Sequence, residues 1–207
     1  MTDPLRIGIT GPIGCGKSTI LGWLAARGAL VIDADQVARE VMAPGSAVAA
    51  EIVSTFGSGV GGADGGLDRA ALATLVFKDA QQLGRLEAIV HPVVRERILE
   101  TIQGAGAAGV PTIALEAIRL VEAGYPALLD EVWLVTCNPA AQLERLASRG
   151  LAPADASARI AAQAALADRV RPVATRVIDT SGSLAATEAA IEAALEDARR
   201  RADSPES

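Results

Sequence analysis

Gly11, Gly16, Lys17 and Ser18 stand at the spacing G-x-x-x-x-G-K-[ST], within the run Gly11-Pro12-Ile13-Gly14-Cys15-Gly16-Lys17-Ser18-Thr19. Residues of these types in this order suit one kind of chemistry. Glycines let the backbone wrap an anion, so that successive N–H groups and the start of the next helix point at its oxygens. The lysine adds a full charge for the β- and γ-phosphates of a triphosphate, and the hydroxyl after it is a hard oxygen ligand for Mg²⁺. The flanks agree, because Leu5–Thr10 reads as a buried strand and Ser18–Leu24 opens an apolar helix. Lys17 and Lys78 are the only lysines in a chain that otherwise uses arginine for its cations. Gly14, Cys15, Gly16, Lys17, Ser18 and Thr19 are therefore the candidate triphosphate-binding residues, with Ser18 also a candidate metal ligand.

Carboxylates that serve such a loop belong at the carboxyl ends of neighbouring strands. Leu30-Val31-Ile32 reads as a second strand, ending in Asp33-Ala34-Asp35. One of the two acids is expected to cap the helix Gln36–Met42 and the other to work in the reaction. Asp33, at the strand end, is the candidate base, and Asp35 the expected cap. Val110–Leu115 reads as a third strand that delivers Glu116, in position to hold Mg²⁺ through water. Arg145 and Arg149 share one helix face, and Arg159 and Gln163 share another. With Arg169 and Arg171 they flank a turn. A solvated face is the ordinary meaning of helical arginines, but a chain that must neutralise phosphate charge makes a lid the expected reading here. His91 is the single histidine. It precedes Pro92, where a capping or packing role is the usual one.

The 207 residues of the whole chain suffice for one α/β domain with a full core. Aromatic residues are only 2%, so that core must come from Leu, Ile, Val and Ala. The net charge of −6 argues against a general nucleic-acid or membrane-surface binder, and anionic ligands must meet local basic clusters instead. Cys15 in the loop and Cys137 after a strand do not look like a disulfide framework. Met1-Thr2-Asp3-Pro4 has neither a basic nor an apolar leader pattern, and no apolar run reaches membrane-spanning length, so a cytoplasmic location is expected.

Strand, loop, helix and strand within the first stretch make a βαβ opening and predict a parallel sheet. Glu131–Thr136 reads as a fourth strand and Thr175–Asp179 as the last, with a turn at Thr180–Ser183. Gly57–Gly66 is a glycine-rich connection. Asp68 is the expected cap of a helix Arg69–Phe77 with Leu72, Leu75 and Val76 inward. Asp79 is the expected cap of the next helix, which His91-Pro92 should interrupt. A further helix should then start at Pro92 with Val94, Ile98 and Ile102 inward. Asn138 with Pro139 starts a helix through Leu146. Pro153 starts another, behind Ala152, a poor cap. Leu184–Arg201 closes the chain with Ile191 and Leu195 inward.

From Ile7 to about Ser183 the chain resembles the dephospho-coenzyme A kinases. Beyond the glycine-rich loop, the likeness is carried by Val31-Ile32-Asp33-Ala34-Asp35 and by Leu67-Asp68-Arg69-Ala70-Ala71-Leu72 with Val76-Phe77. It continues in Leu86-Glu87-Ala88-Ile89-Val90-His91-Pro92, Leu120-Val121-Glu122, Gln142-Leu143-Glu144-Arg145-Leu146, Arg159-Ile160 with Gln163, and Val177-Ile178-Asp179 with Ser181-Gly182-Ser183. The resemblance implies the three-layer α/β fold of the P-loop NTPases, with a parallel sheet, a helical substrate-binding insertion and a lid. It divides a single domain, 1–201, into a core of about 1–56, 109–140 and 173–201, a CoA-binding part of about 57–108 and a lid of about 141–172. A disordered tail, 202–207, should follow.

The implied reaction is transfer of a phosphoryl group from ATP, with Mg²⁺, to the ribose 3′-hydroxyl of dephospho-CoA. The implied catalytic residues are Asp33, Lys17 and Arg145. Ser181 would lie by the adenine, and Asp35, Arg69, Phe77 and His91 would bind the acceptor. ATP and dephospho-CoA are the implied partners, without nucleic acid or membrane, and the oligomeric state stays open. The chain departs from the family pattern in having Cys15 for a serine, Ile118-Arg119 for Pro-Leu, and Thr180 for an asparagine. Another small kinase acting on a nucleoside, nucleotide or shikimate would share the loop, but not Asp-Ala-Asp together with His-Pro. A guanine-reading switch would carry Asn-Lys-x-Asp, which lysines at 17 and 78 alone do not allow.

Overall fold

The computed structural model describes residues 3–62, 64–77 and 79–203, of Phe77 and Asp203 only the backbone. Its centre is a five-stranded sheet in the order β2-β3-β1-β4-β5. The strands are β1 Leu5–Thr10, β2 Leu30–Asp33, β3 Thr112–Glu116, β4 Glu131–Thr136 and β5 Arg176–Asp179. β1 runs parallel to β3, with Ile9 opposite Glu116. On its other side β1 runs parallel to β4, with Thr10 opposite Leu134, and β4 runs parallel to β5. Strands covered on both faces must be apolar throughout rather than alternating. The sequences Leu-Arg-Ile-Gly-Ile-Thr and Glu-Val-Trp-Leu-Val-Thr meet that demand.

The chain forms two compact units. One holds the residues up to Ile32 together with those from Ala105 onward; the other is Asp33–Gly104. In the first, α1 (Lys17–Ala26) and α9 (Leu184–Asp203) cover the sheet. Ile7, Ile9, Ile20, Leu24, Trp133 and Ile191 make up the centre of this core, each at most 1% exposed. α6 (Pro139–Ser148), α7 (Pro153–Ala162) and the short α8 (Leu166–Val170) stand between β4 and β5. Asn138 caps α6 by accepting the Ala141 N–H at 2.8 Å, whereas Ala152 gives α7 no side-chain cap. α9 extends through Asp203, so residues 202 and 203, expected in a disordered tail, are helical; the rest of that tail lies outside the described residues.

The second unit contains α2 (Ala34–Val41), α3 (Ala47–Phe56), α4 (Arg69–Phe77) and most of α5 (Ala80–Ala107), as far as Gly104. Asp68 and Asp79 cap α4 and α5 as their positions predict. Three expectations fail here, each for a local reason. α3 was not foreseen, although Ser46 caps it through the Ala49 N–H at 3.1 Å and Val48, Ala49 and Ile52 give it a buried face. Pro44 and Gly45 just ahead of it, and its alanine content, blur that signal. Leu75 is 38% exposed rather than inward, because Leu72 and Val76 already occupy the buried stripe at a four-residue step.

The third failure is the break at His91-Pro92. α5 runs unbroken for 28 residues with Pro92 inside it. Val90, Val94, Ile98, Ile102 and Ala105 are all buried and form one stripe that passes through the proline's turn. Pro92 removes a single N–H···O=C bond to Ala88 and crowds that carbonyl. Burial of several apolar side chains, at about 1.5–3 kcal/mol each, outweighs that local cost. Pro92→Ala restores the donor and relieves the crowding. It is expected to stabilise the chain by about 1–3 kcal/mol, seen as a higher urea midpoint at unchanged m-value. A lower midpoint would mean that the helix depends on its proline.

Candidate active site

β1 ends at Thr10 and α1 begins at Lys17, so the loop that carries the motif is the direct link between the central strand and the first helix. Its path admits no side chain at the entrance. A Cβ on Gly11 would lie 2.1 Å from the Val135 carbonyl oxygen, and the backbone there has φ +154. Gly16, the N-cap of α1, sits in the left-handed region at φ 84, which turns the chain into the helix. The α1 N-terminus therefore faces the concavity of the loop, as an anion site requires.

Lys17 is 9% exposed. Its Nζ donates to the carbonyls of Gly11 at 2.8 Å and Pro12 at 3.3 Å, so the charge lies over its own loop. Glu116 Oε1 is 3.9 Å from that ammonium. The sheet explains the meeting. Ile9 and Glu116 are register partners on neighbouring parallel strands, so the loop leaves β1 where β3 delivers its carboxylate.

The loop is held from the other side by α6 and the end of α7. Gln142 Nε2 donates to the Ile13 carbonyl at 2.7 Å, and the Ile13 N–H donates to Gln163 Oε1 at 2.6 Å. Thr180, 3% exposed, adds a third brace. Its hydroxyl lies 2.9 Å from the Cys15 carbonyl and 3.1 Å from that of Thr136, either of which can accept its proton. The same oxygen accepts from Arg145 Nη1 at 2.9 Å, while the Thr180 carbonyl accepts from Nη2 at 2.5 Å. Both ends of the Arg145 fork are thus engaged by neutral oxygens. Arg149 Nη2 reaches the Ser18 hydroxyl at 3.5 Å. Of the five arginines expected around the turn, these two meet the loop. Arg169 pairs with Glu122 at 3.0 Å instead, and Arg159 and Arg171 are exposed.

Beside the loop opens a cleft of about 230 Å³, lined by Gly16, Thr19, Trp23, Arg145, Arg149, Thr180, Leu184 and Thr187 among others. Trp23 and the 66% exposed Leu184 give it apolar walls. Sequence reasoning missed both. Trp23 carried a usable signal, as one of two tryptophans in an aromatic-poor chain and on the same helix as Lys17. Leu184 and Thr187 carried none, because only the packing of α9 brings them there.

Ser181 lies at this end of the sheet, with its hydroxyl already engaged. It donates to Asp179 Oδ1 at 2.6 Å and accepts the Asn138 N–H at 2.8 Å, which ties the turn after β5 to the start of α6. Asp179 is held below the usual carboxylate range. The Ser181 hydroxyl is the main cause, followed by the Ser181 N–H, with the positive charge of Arg145 assisting.

Two further expectations are corrected, the first in the unit Asp33–Gly104 and the second in the unit that holds the loop. The helix cap is Asp33, not Asp35. Asp33 Oδ1 accepts the Gln36 N–H at 3.0 Å, and Oδ2 lies 3.7 Å from Arg39 Nη2. The extended backbone of Asp33 (φ −95, ψ 108) makes it the last residue before the helix, which leaves Asp35 exposed in the first turn. The cysteines are also paired. Cys15 and Cys137 form a disulfide with Cα atoms 5.2 Å apart, across 122 residues of sequence. Parallel pairing of β1 with β4 is the reason, since it sets the residues that follow each strand side by side. In the unit Asp33–Gly104, Arg69 Nη2 donates to the Arg39 carbonyl at 3.4 Å, His91 is half-buried on α5, and the Phe77 side chain lies outside the described residues.

A parallel sheet whose central strand runs through a glycine cradle into a helix headed by a lysine is the architecture of the P-loop NTPases, the kinases among them. A shikimate kinase of Acinetobacter baumannii shares this fold, at TM-score 0.51 and 16% identity over 96% of this chain and 94% of its own. A solved protein of Thermus thermophilus is nearer, at TM-score 0.79 and 36% identity over 95% of this chain and 98% of its own. A dephospho-CoA kinase of Moorella thermoacetica is 45% identical over 97% of this chain and 95% of that protein. The model of the dephospho-CoA kinase family matches residues 5–186. The chain belongs to the dephospho-CoA kinase family.

The Asp179–Ser181–Asn138 bridge predicts a pH dependence. The Asp179 carboxyl is depressed in the fold, so its contribution to stability is complete above the ordinary aspartate value near ~3.9 and is lost as pH falls through the lower folded value. Asp179→Asn is therefore expected to be less stable than the parent at pH 7, with the gap closing as pH falls below about 3.9. Thermal unfolding across that range checks it, and a gap independent of pH would remove the carboxylate from the account.

Proposed function

We propose that the chain transfers the γ-phosphoryl group of ATP to the ribose 3′-hydroxyl of dephospho-CoA, the last step of coenzyme A biosynthesis, in the cytoplasm and without nucleic acid or membrane. One observation carries the reading. Lys17 lies over a glycine cradle beside the strand-end carboxylate Glu116, in a chain matched by the family model over residues 5–186.

Phosphoryl transfer passes through a loose transition state, so positioning and charge do most of the work. The N–H groups of Gly14 to Thr19 hold the β- and γ-phosphates. Lys17 exchanges its loop carbonyls for phosphate oxygens and follows the migrating group. Arg145 exchanges the two oxygens of Thr180 for two phosphate oxygens, which its planar fork matches. Asp33 orients the acceptor hydroxyl and takes its proton late in the reaction. Its Oδ1 is committed to the helix cap, so Oδ2, which stands 3.7 Å from Arg39 Nη2, is the oxygen for that role.

The Ser18 hydroxyl and the Glu116 carboxylate are hard oxygen donors, the chemistry Mg²⁺ prefers, with Glu116 acting through water. When bound, Mg²⁺ neutralises charge on the phosphates. We assign the lid to about 141–172, which contains Gln142, Arg145 and Gln163. Acceptor binding falls to about 57–108 with Asp35, where Arg69, Phe77 and His91 are the candidate contacts, and Ser181 stands on the adenine side.

The test is ADP release with Mg²⁺-ATP and a panel of acceptors. Dephospho-CoA should drive it, and activity with shikimate or a nucleoside alone would overturn the assignment. Lys17→Ala should abolish turnover with little effect on acceptor binding. Asp33→Asn should lower turnover by roughly 10²–10⁴ while ATP affinity changes little. If Asp35→Asn loses turnover and Asp33→Asn keeps it, the pair is assigned the wrong way round. Arg145→Lys keeps the charge but loses the fork, so it should impair turnover clearly, and Arg145→Ala more so. Wild-type turnover in both at saturating ATP would leave Arg145 as a structural partner of Thr180.

A further inference from the structure

Cys15 is part of the phosphate cradle itself. Its N–H donates to the Pro12 carbonyl at 3.3 Å and its own carbonyl is held by Thr180. Cys137 directly precedes Asn138, the cap of α6, which is the helix that supplies Gln142 and Arg145 to the loop. The bond between them therefore fastens the cradle to the root of the element that braces it. Their Cα separation of 5.2 Å falls inside the range of about 4.4–6.8 Å over which a disulfide forms without moving the backbone. With the bond in place the loop already has its glycine turns and Lys17 curled above it.

We propose that Cys15 and Cys137 are a reversible thiol–disulfide site that is coupled to nucleotide binding. The covalent tie removes from the loop freedom that it would otherwise lose on gripping a triphosphate. The oxidised chain therefore binds nucleotide more tightly than the dithiol chain. Coupling between two sites is reciprocal, so nucleotide favours the disulfide by the same factor. A disulfide that merely stabilised the fold would raise the melting temperature and leave nucleotide affinity where it was.

The chemistry is ordinary exchange with a low-molecular-weight thiol. Cys15 is 1% exposed, whereas Cys137 is only partly buried, so the incoming thiolate attacks the Cys137 sulfur. The Cys15–Cys137 bond breaks, and Cys15 leaves as a thiolate and takes a proton from water. A second thiolate attacks the small-molecule sulfur of the mixed disulfide and frees Cys137. Two thiols are oxidised to one small disulfide, and the protein disulfide is reduced to two thiols; the small disulfide drives the reverse reaction. Dephospho-CoA is itself such a thiol, so the test leaves it out.

The full chain is equilibrated in reduced or oxidised glutathione, the 15–137 link is assayed by mass spectrometry, and ADP affinity is measured by titration calorimetry. The oxidised chain should carry the link and bind ADP at least ~5-fold more tightly. Saturating ADP should shift the thiol–disulfide equilibrium constant toward the disulfide by the same factor. Cys137→Ser should bind ADP as the reduced parent does in both buffers. Equal or weaker binding by the oxidised chain overturns the proposal, as does a glutathione adduct in place of the 15–137 link. Turnover of the reduced chain with dephospho-CoA reports separately on the proposed reaction, which survives either result.

Discussion

The closeness of Gly11 to the Val135 carbonyl is the constraint on which the rest of this structure depends. Parallel pairing of β1 with β4 brings the loop under the end of β4, leaving 2.1 Å where a Cβ would stand. Only glycine passes. Once the chain has passed, Gly16 turns it into α1, and Lys17 lands at the first helical position with two loop carbonyls within reach. The cradle, its positive helix end and its lysine thus follow from how tightly two strands pack.

The second constraint is electrostatic. A chain with a net charge of −6 must gather positive charge locally to receive a triphosphate. Lys17, Arg145 and Arg149 meet at the loop, and the two arginine contacts there are to neutral oxygens of Thr180 and Ser18. The contrast is at the other end of β4. Glu131, 4% exposed, accepts from Trp133 Nε1 at 3.1 Å, from the Thr175 hydroxyl at 2.6 Å and from Arg176 Nε at 3.1 Å. Burying a carboxylate without partners is costly, and these donors satisfy its oxygens structurally. Positive charge at the loop is held ready for exchange, whereas at Glu131 it is consumed.

Cys15 and Thr180, far apart in the sequence, meet each other in space. The Thr180 hydroxyl lies 2.9 Å from the Cys15 carbonyl. The threonine also receives the Arg145 fork, so one short side chain links loop, sheet and arginine. Cys15 has its own side-chain partner in Cys137. On the loop side the braces end on main-chain groups, the Cys15 and Ile13 carbonyls and the Ile13 N–H, while Thr180, Gln142 and Gln163 contribute side-chain atoms.

The strands, the phosphate loop, the Asn138 cap and the family were readable from the sequence, because each is written in neighbouring residues. Apolar runs mark strands covered on both faces, glycines mark where a side chain is forbidden, and a lysine in a chain that avoids lysine marks a charge that is needed. The continuity of α5 through Pro92 was not readable. It depends on burial of a stripe from Val90 to Ala105, and a local rule about proline sees only the one hydrogen bond that is lost. The choice of Asp33 as cap turned on the backbone angles of one residue, which either aspartate could have supplied. The Cys15–Cys137 bond, the walls formed by Trp23 and Leu184, and the brace of Thr180 on Arg145 join residues far apart in the chain. Residue types narrowed the candidates, but only the register of parallel strands and the packing of helices upon them decided which side chains would meet.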